Sequence, residues 1–94
     1  MNLFVIDLTY TAGLDAIDRL LEPHRAFLEA QYADGLFLAS GPKNPRTGGV
    51  ILARSESREA LERVLEQDPF KAERVADYQV TEFSPVMTAP DFPL

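Results

Sequence analysis

Apolar residues dominate the start of the chain, but they do not alternate cleanly with polar ones. Over residues 3–10, Phe4, Ile6, Leu8 and Tyr10 fall on one face of an extended chain and Leu3 and Val5 on the other. That pattern predicts a short strand covered on both sides. Thr11-Ala12-Gly13 closes it, and the period then changes. Leu14, Ile17, Leu20, Leu21, Phe27 and Leu28 recur at helical spacing, with Asp15 and Asp18 early, where the helix dipole favours acids. Pro23 interrupts this segment, because an interior proline removes the hydrogen bond to the Arg19 carbonyl and disfavours helical geometry at Glu22. The expectation is a kink, or a short first helix followed by a second that begins at Pro23. Asp34-Gly35 ends the segment, with glycine suited to a left-handed cap.

Residues 36–40 and 50–54 read as two further strands. The connection between them, residues 41–49, is rich in glycine and proline and too long for a tight hairpin, so it is read as a shaped loop. Ser55 or Ser57 can cap a helix that carries Ala60, Leu61, Val64 and Leu65 on one face and Glu and Arg on the other. After Asp68-Pro69 comes a short turn over residues 70–75, then a last strand over residues 77–83 ended by Ser84-Pro85. The order βαββαβ predicts an α+β, ferredoxin-like fold with an antiparallel sheet and both helices on one face. Residues 1–86 form its single domain in this reading, and residues 87–94, rich in proline, a tail without regular structure. Helices on one face leave the other in water, yet the strands lack a polar set. The cover that suits them is a second copy, giving a homodimer with a dimeric α+β barrel.

Composition narrows the class of function. A net charge of -6, with the basic residues interspersed among acids, argues against a nucleic-acid partner, and the basic-aromatic strand pattern of an RNA-binding sheet of this topology is absent. Without cysteine there is no disulfide framework and no thiolate nucleophile. The first residues lack the basic region and long apolar run of a secretory signal, and no apolar stretch reaches the length of about 18 residues that a membrane span needs. A cytoplasmic protein with no membrane partner is the expectation. One histidine and scattered carboxylates make no zinc set or facial triad, and no glycine-rich nucleotide fingerprint occurs, so no metal and no cofactor are expected.

The remaining chemistry centres on His24, the only histidine, set between Pro23 and Arg25. Imidazole is the one side chain that titrates near neutrality, so a single copy can act as base or acid, although lone histidines also serve as packed core residues. Pro23-His24 with Phe27-Leu28, Asp34-Gly35, Ser40-Gly41-Pro42 with Gly48-Gly49, Asp68-Pro69-Phe70 and a closing strand with Phe83 together resemble the YciI-like family of small dimeric α+β-barrel proteins. The resemblance runs over residues 3–85 and implies a pocket beside a His-Asp pair, here His24 and Asp68.

In such a pair the carboxylate fixes the imidazole tautomer and stabilises the cation formed on proton uptake. Asp68 before Pro69 also suits a helix N-cap, and the two roles can coexist if one oxygen caps while the other meets the histidine. Ser40 and Gly41 are expected at the pocket rim, with Lys43 and Arg46 available to an anionic small-molecule ligand. Ser40 lacks the Gly-x-Ser-x-Gly elbow of an activated nucleophile. The leading expectation is therefore a small cofactor-independent enzyme of lyase or isomerase type that moves a proton on a small metabolite. The alternative is a non-enzymatic small-molecule-binding or accessory dimeric module.

Overall fold

The computed structural model describes residues 1–93; Leu94, the end of the expected tail, lies outside the described residues. Strand β1 (Asn2–Tyr10) is followed by helices α1 (Leu14–Arg19) and α2 (Leu21–Ala33), strands β2 (Phe37–Pro42) and β3 (Gly48–Ser55), helices α3 (Arg58–Leu65) and α4 (Pro69–Ala72), and strand β4 (Ala76–Phe83). The sheet order is β2-β3-β1-β4, with every neighbouring pair antiparallel. This is the α+β, ferredoxin-like arrangement expected from the sequence.

The helical segment breaks in two, though not at Pro23. Leu20 caps both pieces, and Pro23 is the third residue of α2. Backbone N–H groups in the first three helical positions have no acceptor within the helix, so proline there forfeits nothing. The first intrahelical bond of α2 is donated by the next residue, His24, to the Leu20 carbonyl at 2.9 Å. At the other end Gly35 adopts φ 76°, and the Gly35 and Leu36 amides return to the Tyr32 and Gln31 carbonyls, both at 3.0 Å. That double return is the Schellman ending.

The hairpin ladder runs further than the residue pattern suggests. Gly41 and Pro42 pair with Val50 and Gly49, which reduces the long loop to residues 43–47. Gly48 explains part of this extension: a Cβ there would lie 1.8 Å from the Leu8 carbonyl oxygen, so only glycine lets β3 approach β1 this closely. Phe4, Ile6, Leu8, Ile51 and Ala53 from the sheet meet Ile17, Phe27, Leu61, Leu65 and Phe70 from the helices in one core. The opposite face carries Val5, Val50, Leu52 and Phe83, interleaved with Asp7, Gln79 and Thr81. Residues 84–93 form neither helix nor strand; Ser84 donates to the Asn2 side chain and Arg54 to the Pro93 carbonyl.

Candidate active site

Asp68 follows α3 and stands at the N-cap of α4, with Pro69 in the first helical position. Its Oδ1 accepts the Phe70 amide at 3.0 Å, as an aspartate before a proline is expected to do. The residue has no exposed surface. A buried carboxylate must be supplied with donors, and two side chains from distant parts of the chain provide them. His24 Nδ1 lies 2.7 Å from the same Oδ1, and the Tyr78 hydroxyl donates to Oδ2. The expectation that lets the two roles coexist gives one oxygen to the cap and the other to the histidine. In the structure one oxygen serves both, and the other is taken by a tyrosine.

A carboxylate only accepts, so the proton between the two groups sits on Nδ1, and Nε2 is the ring nitrogen turned away from Asp68. Phe70 lies parallel to the imidazole, with ring centroids 3.8 Å apart and planes 8° apart, and Tyr10 meets Phe70 edge-on at 6.1 Å. The imidazole is thus held by a hydrogen bond in its plane and a ring across its face. Burial, and then the neighbouring Asp68 charge, push the Tyr78 phenol far above its ordinary range. Tyr78 stays protonated and so remains a donor to Asp68.

His24 opens onto a cavity of about 390 Å³ between α2, the sheet and the β2–β3 loop. Leu8, Ile51, Leu28 and Phe70 supply apolar wall, and Ser40, Gly41, Arg25 and Arg46 supply polar groups. Of the residues singled out from the sequence, His24, Ser40, Gly41 and Arg46 line this space, with Asp68 hydrogen-bonded to His24. Ser40 Oγ is 2.5 Å from the Tyr32 hydroxyl. Arg46 reaches Asp18 at 2.6 Å, and that hydrogen bond raises the affinity of its guanidinium for its proton.

Lys43 is not among the lining residues; it pairs with Asp7 at 2.6 Å. The reason is strand alternation. Gly41 sits across Val50, which sits across Asp7, and Lys43 lies two residues past Gly41, on the Asp7 face. Tyr78, Tyr10 and Arg25 escaped the sequence reading. Tyr78 belongs to the inward set Ala76, Tyr78, Val80, a usable signal, but its approach to Asp68 depends on the pairing of β4 with β1. Arg25 was one of many charges on a mixed helix surface.

Among described residues no three His, Asp or Glu side chains converge as a metal site, and no helix is long and apolar enough to cross a membrane. No curated protein matches the chain. Among solved structures, it is similar to 5-chloro-2-hydroxyhydroquinone dehydrochlorinase from Burkholderia phenoliruptrix AC1100, in complex with 2,5-dihydroxybenzoquinone. The TM-score is 0.77 at 22% identity, covering 87% of this chain and 93% of that one, a likeness of fold. The family model for the YCII-related domain matches residues 2–84, from the first residue of β1 to just past the end of β4. With the topology and the match in agreement, the chain belongs to the YCII-related domain family.

Proposed function

We propose that the protein is a small cofactor-independent enzyme of lyase or isomerase type, with His24 as the general base and Asp68 as the group that orients it. The observation that carries this reading is the 2.7 Å contact between His24 Nδ1 and the buried Asp68 carboxylate at the edge of an open cavity. It leaves Nε2 free to take a proton from a carbon beside a carbonyl group, with the electron pair moving onto the carbonyl oxygen. Asp68 stabilises the resulting imidazolium, and the enolate either expels a leaving group or is reprotonated at another carbon. The similar dehydrochlorinase, solved with a dihydroxyquinone, supports a compact ring as the class of substrate.

The test is turnover of ring hydroxyketones and chlorinated hydroquinones, beginning with 5-chloro-2-hydroxyhydroquinone, together with deuterium uptake at their C–H positions in heavy water. His24→Ala should lower either rate by about 10²- to 10⁴-fold, the usual contribution of a positioned base, while the circular dichroism spectrum stays folded. Binding of these compounds with neither turnover nor exchange would instead favour a metabolite-binding module.

The same reading includes a twofold dimer through the outer sheet face. Val50 and Phe83 there are 39% and 42% exposed. Apolar strand residues left this open favour a second sheet as cover. Sedimentation should give twice the chain mass at micromolar concentration; a stable monomer would remove the dimer from the proposal.

A further inference from the structure

The charge of the cavity runs against that of the chain. Acids outnumber bases to a net charge of -6, yet among the described residues no aspartate or glutamate lines the cavity, while Arg25 and Arg46 do. The two arginines differ. Arg46 is already paired with Asp18, whereas Arg25, one residue past His24 on α2, has no carboxylate partner among the described residues. Leu8, Leu28 and Ile51 supply apolar wall, and Phe70 lines the space beside the imidazole that covers its ring. A ligand that fits this lining has an apolar body and an anionic oxygen group, since guanidinium binds such groups through charge-assisted hydrogen bonds.

We infer that the site selects an organic anion, an enolate, phenolate or carboxylate on the ring that the proposed function implies, and that Arg25 recognises its charge. The inference deepens the proposed function and rests on the same cavity, but it concerns binding rather than proton transfer. Arg25 holds the anionic oxygen at the cavity mouth, which places the ring beside His24. The same charge attracts the anion to a protein whose overall field would repel it.

The experiment is calorimetric titration with 2,5-dihydroxybenzoquinone, an anion at neutral pH, and with its neutral dimethyl ether. Wild type and Arg25→Gln are compared. The anion should bind wild type about tenfold more tightly than the ether, as a partly solvated charge-assisted contact allows. Arg25→Gln should erase that preference and leave the ether unchanged. Equal affinities in wild type, a preference that survives Arg25→Gln, or no binding of either probe would overturn the inference. Loss of the charge preference alongside His24-dependent turnover would sink the anion inference alone. An intact preference with turnover indifferent to His24 would sink the catalytic reading alone.

Discussion

At the α2–α4 wall of the cavity Asp68 has no exposed surface and receives three donors, from His24, Phe70 and Tyr78. At the β2–β3 loop wall, Arg46 meets Asp18 where water reaches both, with side chains 37% and 54% exposed. Both are close charged contacts, yet their surroundings set very different values. A buried carboxylate loses its hydration and depends on its partners, so each of them is structurally expensive to remove. An exposed pair exchanges protein contacts for water at small net gain. The difference assigns the walls different work. The proton transfer proposed above needs a group fixed in place, which the first wall supplies; the second is held by a contact that water can replace.

The largest test of that contrast is Asp68→Ala. It removes the α4 cap and leaves the Tyr78 hydroxyl and His24 Nδ1 without their acceptor, so unfolding by urea should show a loss of about 3 to 5 kcal/mol. A loss below about 1 kcal/mol, the level of an ordinary surface pair, would mean that the two walls do not differ as described.

Next is Tyr78→Phe, which leaves one Asp68 oxygen without its donor and should cost about 1 to 2 kcal/mol at neutral pH. It also changes the response to alkali. In the unfolded chain a tyrosine loses its proton above pH of about 10, whereas the folded protein keeps that of Tyr78. The folded state then binds more protons, so wild-type stability falls as pH rises past that point. The variant should lack this component, a difference in slope of up to about 1.4 kcal/mol per pH unit in denaturation between pH 9 and 11. Parallel curves would mean that the Tyr78 hydroxyl reaches water. The smallest effect is expected for Arg46→Gln, whose thermal midpoint should match wild type in physiological salt. A clear drop would make the loop wall part of the fold's stability.

Much of the fold was legible because its signals are local. A short apolar run closed by Thr11-Ala12-Gly13 marked β1, helical spacing marked α3, Gly35 marked the end of α2, and Asp68-Pro69 marked the start of α4. The break before α2 was misplaced because Pro23 is costly only where its missing N–H would have been used, and three residues into a helix it is not. The length of the β2–β3 ladder was missed because Gly41 and Gly48 were read as loop formers. Gly48 is instead required by the backbone of β1 beside it.

By itself the sequence determined which residues could do chemistry: one histidine, an aspartate placed to cap, no thiol, and an acidic chain that disfavours nucleic acid. It also determined the element order, because turn chemistry and periodicity act over a few residues at a time. Only the tertiary structure decided that one Asp68 oxygen serves both cap and histidine, that Tyr78 takes the other, that Lys43 points to the far face, and that Arg25 joins His24 at the cavity. These depend on strand register and on contacts between residues 44 and 10 positions apart, His24 and Tyr78 to Asp68. A shift of one residue in strand pairing turns a side chain to the other face, and neither the local sequence around Lys43 nor that around Tyr78 specifies that pairing.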